Sequence, residues 1–275
     1  MRTPETIDKA GTEYWDSLWK QTCRTVPVDP HSRRLSNYVY REFHAYFKSA
    51  FASLPTSRMN LVEVGCANSR WLPYFAKEFG FKVAGLDRSE TGCKLAREIL
   101  LRSSIEGDIV CGDLFNPPEN MIGRFDVVVS FGVIEHFANA VDCLRAMKLL
   151  LHPGGIIITV IPNLIGMMGF IARLLNRRVF NKHVIIDISA LTKLHQSAGF
   201  HIEDCRYFCN MNFRALSACT VKNHDFSQQS FPKRIIVLLL GRIGFVCHWF
   251  EMNMKIPGTK ILASYIICRG KLPAE

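Results

Sequence analysis

Residues 60–161 alternate short apolar runs with helical patterns, and that alternation predicts an α/β fold built on a mostly parallel sheet. Five strands are expected there. Two later apolar runs, at 201–208 and 261–268, predict a seven-stranded sheet flanked by helices. Composition agrees: 48% hydrophobic and 21% charged residues suit a folded globular chain and exclude disordered, collagen-like and heptad coiled-coil chains.

The elements follow in order. The first 50 residues read as helical, with Tyr14, Trp15, Leu18 and Trp19 at helical spacing. Residues 60–64 form a first strand that stops in small residues. A helix at 69–79 then places Trp71, Leu72, Phe75, Ala76 and Phe79 on one face. The second strand, 82–86, ends at Asp87, and Ser89 caps a helix running to about Arg102. Strands at 108–112 and 125–130 come next, the former ending at Asp113. A helix at 139–151 and the turn Pro153-Gly154-Gly155 lead into a fifth strand at 156–161. Residues 164–180 read as one apolar helix with a basic end at Arg177 and Arg178, and 188–198 as another helix closed by Gly199. An apolar and basic segment, 233–250, separates the two late strands. This predicts a helical cap at 1–55 and a core at 56–208 with a lid insertion at about 162–187. An apolar-basic insertion at 209–260 and a last strand and tail at 261–275 complete the chain.

Charge and cysteines exclude several functions. Residues 61–160 carry ten Lys/Arg against twelve Asp/Glu, whereas 161–275 carry fifteen against six. A nucleic-acid binder would not concentrate its basic excess in one end while its centre is acidic, so nucleic acid is not expected as a partner. An anionic or amphiphilic acceptor, or a lipid surface, fits better. The ten cysteines contain no CxxC pair, and no second pair accompanies Cys205 and Cys209 at metal-ligand spacing. They read as reduced, mostly buried thiols of a cytoplasmic protein, and no metal ligands are assigned. The start of the chain leads into no apolar core, so no signal peptide is expected. The longest mostly apolar stretch, 235–250, is too short to span a bilayer and contains Arg242, which leaves peripheral membrane contact as the expectation.

The turn after the first strand carries the chemistry. A strand that stops in small residues lets a ligand approach the backbone closely. A dinucleotide site would need GxGxxG there and an acid on the second strand for the ribose. Asp87 supplies the acid, but GxGxxG is missing, and Glu63 stands inside the end of the first strand. The string Asn116-Pro117-Pro118 follows the third strand and reads as a turn.

The run from Glu63 through Gly65, Ala67 and Ser69 resembles the acid-x-Gly-x-Gly-x-Gly motif of the class I S-adenosylmethionine-dependent methyltransferases of small-molecule type. Small residues replace its second and third glycines. The resemblance continues through Asp87, through Asp113 with Leu114, through the fourth strand ending at Ser130, through Glu135-His136, and through the Pro-Gly-Gly turn. It implies the class I methyltransferase fold with its last strand antiparallel, and S-adenosyl-L-methionine as cofactor. It implies Glu63, Gly65, Ala67 and Ser69 around the amino-acid tail, and Asp87 on the ribose. Asp113 with Leu114 would meet the adenine, and Ser130 would be a further cofactor contact. Glu135 and His136 would be the catalytic pair, with His136 as general base and His183 a second candidate. The expected reaction is O-methylation of a small or lipid-like acceptor. C-methylation, an RNA or protein acceptor, and a cofactor-binding protein without transferase activity stay open. Oligomeric state is not legible. Residues 164–182 are expected in the acceptor pocket wall, with 233–250 beside it.

Overall fold

The computed structural model describes residues 8–21, 25–212 and 256–274, with Arg242, Ile243, Val246, Trp249, Phe250 and Met254 between the last two stretches. Most of the 233–250 segment, and Cys23, Cys219 and Cys247, lie outside the described residues.

Seven strands pair into one sheet: β1 (Asn60–Val64), β2 (Lys82–Asp87), β3 (Gly107–Cys111), β4 (Phe125–Phe131), β5 (Leu151–Pro162), β6 (His201–Asn210) and β7 (Ala263–Lys271). Their order is β3-β2-β1-β4-β5-β7-β6. The first five strands are parallel, and β7 runs antiparallel to both β5 and β6. Strand order reverses between β1 and β4. In an open α/β sheet such a reversal parts the connections and leaves a crevice at the carboxyl ends of the strands.

Helices cover both faces because both faces of the central strands are apolar. Along β1, Leu61 enters one core and Val62 and Val64 the other, as a two-residue period requires. The first core holds α2 (Tyr38–Ala50), α3 (Leu72–Phe79) and α4 (Glu90–Arg102) against the sheet. It is rich in aromatic rings: Phe47 packs on Phe43, Trp71 and Phe75 at centroid distances of 6.1, 5.9 and 5.0 Å. The second core packs α5 (Ala140–Leu150) and α8 (Ile188–Ser197) on the opposite face. The N-terminal α1 (Thr12–Lys20) joins neither core. It is held across the sheet's carboxyl edge by polar contacts, among them Ser89 donating to Asp16.

Some expected boundaries move. The helix expected from residue 69 starts at Leu72, because Ser69 first accepts the N–H groups of Trp71 and Leu72 on its hydroxyl. The expected single helix at 164–180 is two, α6 (Met167–Leu175) and α7 (Arg177–Phe180). Asn176 breaks it: its backbone leaves the helical region at φ −148°, and its side chain caps α7 by accepting from Val179 N at 3.1 Å. All seven described cysteines are free, and five of them are buried. Among the described residues no helix is long and apolar enough to cross a membrane.

Candidate functional site

The crevice begins at Glu63, the fourth residue of β1. Its carboxyl is buried in the sheet's end, where a polar group is costly unless it finds a partner. Ser69 supplies one, donating its hydroxyl to Glu63 Oε2 at 2.5 Å. Ser69 Oγ in turn accepts from Trp71 N at 3.0 Å and Leu72 N at 3.1 Å, so one hydroxyl ties the strand, the turn and the start of α3 together. Burial pushes the Glu63 carboxyl up to about 8, with the Ser69 bond opposing the rise and Asp87 adding to it.

Gly65 opens the turn at φ +77°, and a Cβ there would stand 2.5 Å from Val133. The next left-handed residue is Asn68, at φ 51°, a conformation that asparagine tolerates better than most residues. Its Oδ1 accepts from Thr25, while its buried Nδ2 has no hydrogen-bond partner among the described residues. Asp87, at the tip of β2, is pinned from both sides: Oδ2 accepts from Ala67 N at 3.0 Å and Oδ1 from Ser89 N at 2.8 Å. Burial raises its pKa, and those N–H groups oppose the rise. Beyond β3, Asp113 pairs with Arg88 at 2.9 Å.

These groups line one cavity of about 290 Å³. Glu63, Gly65, Ala67, Ser69, Asp87, Asp113 and Leu114 all face it, together with Asn68. The roof is α1, through Trp15 and Trp19. Asp8 accepts from Trp15 Nε1 at 3.1 Å, and Lys9 N donates to His136 O at 2.9 Å, which closes this roof onto the turn after β4.

A second cavity, of about 360 Å³, opens beside the first. Its walls are aromatic and aliphatic: Val39, Tyr40 and Phe43 of α2, with Val160, Pro162 and Tyr265 from the sheet's end. Trp71 and Phe131 stack at 4.8 Å with planes 4° apart, and both residues line both cavities, as do Arg70, Gly132 and His136. Glu135, His136 and His183 line the second cavity together, and Ser36, Arg70 and Asn212 add further polar groups to its wall. Burial pushes Glu135 up to about 8. Burial, followed by the nearby His183, pushes His136 down to about 4, so its ring is neutral at physiological pH and a weak base. His183 is likewise lowered by burial.

Two expected placements differ. Ser130 is buried within β4, paired with Val64 and Thr159, and faces neither cavity. The next two residues, Phe131 and Gly132, reach the cavities instead, because the strand's end lies one residue further on. The body of 164–182 lines neither cavity; only the flanking Pro162 and His183 reach the second one. The reason is how α6 packs. It turns Met168 and Ala172 inward onto Met211 and Phe180, and points Phe170 and Leu174 outward, 64% and 65% exposed. The wall expected from it is built by α2. Asn68, Tyr40, Phe131 and Asn212 were not singled out from the sequence. Asn68 alone carried a signal, as a residue that tolerates left-handed backbone inside a glycine-type turn.

The methyltransferase-domain family model matches residues 33–204. The ubiquinone biosynthesis O-methyltransferase of Cereibacter sphaeroides is 26% identical over 166 residues, covering 58% of this chain and 65% of that protein. The protein of the same name from Caulobacter vibrioides is 31% identical over 151 residues, covering 53% and 56%. The chain thus spans less than two thirds of the length of the curated relatives it matches. Among solved structures, the geranyl diphosphate C-methyltransferase of Streptomyces coelicolor is similar at a TM-score of 0.58 and 13% identity, covering 98% of each chain. The cyclase SpnF is similar at 0.56 and 14%, covering 98% of this chain and 94% of that one. These likenesses establish the fold.

The buried Glu63 generates a pH dependence. The folded chain keeps a proton on this carboxyl up to about pH 8, whereas the unfolded chain releases it in the ordinary carboxylate range. The folded state therefore binds more protons between those limits, and stability of the ligand-free chain falls as pH rises from about 5 toward 8. Urea unfolding across that range should show a shallower decline in Glu63→Gln than in the wild type; equal slopes would count against the buried, protonated carboxyl.

Proposed function

The chain belongs to the methyltransferase-domain family, and from its site we propose that it transfers a methyl group from S-adenosyl-L-methionine to an oxygen of a small, mostly apolar acceptor. The observation that carries this reading is the pair of adjoining cavities, one rimmed by carboxylates and backbone and the other by aromatic rings, which share Trp71, Phe131, Gly132 and His136.

The first cavity fits the cofactor residue by residue. Asp87, held by two N–H groups, presents an oriented carboxylate to the ribose hydroxyls. Asp113 and Leu114 bound the adenine end. Glu63 and Nδ2 of Asn68, which has no hydrogen-bond partner among the described residues, offer an acceptor and a donor to the ammonium and carboxylate of the amino-acid tail. Gly65 and Ala67 keep that stretch free of bulk. The cofactor supplies a methyl group on a positively charged sulfur, open to in-line displacement. The chain's task is therefore alignment and exclusion of water. Trp15 and Trp19 roof the first cavity, and Trp71 and Phe131 wall the junction. Glu135 and His136, in the turn after β4 where the second cavity meets the first, are the pair we assign to holding the acceptor oxygen. The relatives named ubiquinone biosynthesis O-methyltransferase support an oxygen acceptor, and the aromatic and aliphatic walls of the second cavity support apolar bulk on it.

The exposed face of α6 supports contact with a lipid surface. Phe170 and Leu174 of α6 are exposed beside Ile165 and Ile261, with Arg173, Arg177 and Arg178 at their edge. Exposed apolar side chains rimmed by cations suit an anionic membrane interface. The chain adjoining this patch leads at Pro162 and His183 into the second cavity.

Two measurements test these readings. Calorimetry should show S-adenosylhomocysteine binding and no NAD binding, and Asp87→Ala should weaken the former by about 1.5–3 kcal/mol, the range for a lost charge-assisted hydrogen bond. Unchanged affinity in a folded Asp87→Ala variant would remove Asp87 from the site. Sedimentation with anionic vesicles should fall when Arg177 and Arg178 are both changed to Glu, with cofactor affinity preserved; vesicle binding that ignores the double substitution would exclude this face.

A further inference from the structure

One cluster of side chains has features that binding the cofactor does not require. Glu135, His136 and His183 each offer a ligating atom, and these atoms lie within 4.8 Å of one another. Glu135 is 2% exposed, and its Oε2 has no hydrogen-bond partner among the described residues. A buried carboxyl oxygen left without a partner is costly, and a cation is one group that removes the cost.

Both imidazoles are already oriented for such a cation. Nδ1 of His136 lies 3.2 Å from Lys182 O, and Nδ1 of His183 lies 2.9 Å from Val179 O and 3.3 Å from Phe180 O. A ring that donates from Nδ1 to a carbonyl keeps its lone pair on Nε2, which is how metal-ligating histidines are usually held. The ring centroids are 4.5 Å apart. The segment carrying His183 is tied down on both sides: Val184 N donates to Glu135 O at 2.6 Å, and Lys9 Nζ donates to His183 O at 3.0 Å.

We propose that Glu135, His136 and His183 bind one divalent transition-metal ion at the junction of the two cavities. Two imidazole nitrogens and one carboxylate oxygen suit Zn²⁺ and its first-row neighbours, whereas Mg²⁺ and Ca²⁺ prefer all-oxygen sets. Metal bonds of about 2.0–2.2 Å draw the three side chains together by about 1 Å, a movement within reach of side-chain rotation. Three protein ligands leave at least one position open. All three residues line the second cavity, so that position opens toward it. If the methyl-transfer reading holds, an oxygen of the acceptor, a hydroxyl or phenolate, is the ligand it takes there.

The test uses the full, untagged chain after chelator treatment, titrated with Co²⁺ as the probe. One equivalent should bind, with visible absorption bands of a low-coordinate site that Zn²⁺ then displaces. Glu135→Gln preserves the shape of the side chain and His183→Ala removes one ring. Each should weaken Co²⁺ binding at least tenfold, and neither should change S-adenosylhomocysteine affinity, since neither residue lines that cavity. Retained cofactor affinity also shows that each variant is folded. The proposal is overturned if no band develops at one equivalent. It is also overturned if the band survives both substitutions, as it would at a cysteine site. Either result leaves the Asp87 measurement, and with it the cofactor reading, untouched.

Discussion

The hydrogen bond from Ser69 to Glu63 is the contact on which the geometry of both cavities depends. A carboxyl buried at the tip of a central strand must find a donor nearby, and the turn delivers the Ser69 hydroxyl. Because Ser69 also accepts from Trp71 and Leu72, fixing that hydroxyl fixes where α3 begins. The start of α3 in turn sets Trp71 flat against Phe131. That stacked pair is the wall the two cavities share. Gly65 belongs to the same constraint, since any Cβ would collide with Val133 and push apart the turns after β1 and β4.

The parallel core was legible because its signals are local. Each central strand reads as an apolar run ending in a carboxylate or small residue, and Glu63, Gly65, Ala67, Ser69, Asp87, Asp113 and Leu114 come together because those strand ends share one edge. Ser130 shows the limit of reading by position: where a strand ends decides which residue faces the crevice, and β4 continues to Phe131. The second cavity was far less legible. Its walls come from α2, β5, β7 and the turn after β4, and no local pattern in α2 distinguishes Tyr40 and Phe43 from ordinary core residues. Apolar and basic character, with a place in the insertion after the fifth strand, points to 164–182 for that wall. The capping of α7 by Asn176 and the inward packing of Met168 and Ala172 turn this segment elsewhere. His183 meets Glu135 and His136 only through the path of the chain after β5, which no spacing rule encodes.

The two cavities differ in polarity and in the parts of the fold that build them. Carboxylates and backbone N–H groups around the first cavity define what is held there, and they lie on rigid strand ends. The second cavity is shaped by α2, by β7 and by His183 of the insertion after β5, all outside the parallel core, set against the ends of β4 and β5. The fold-level likeness to both a C-methyltransferase and a cyclase shows that the scaffold does not dictate the chemistry. At the junction this chain holds a carboxyl and two imidazoles beside the stacked Trp71 and Phe131.

The most direct test of the central claim is a crystal structure of the chain with S-adenosylhomocysteine. The account predicts adenosine between Asp87 and the Asp113-Leu114 turn, the amino-acid tail against Glu63 and Asn68, and the sulfur facing the junction at Gly132 and His136. A ligand whose ribose lies away from Asp87, or whose sulfur faces away from the second cavity, would contradict it.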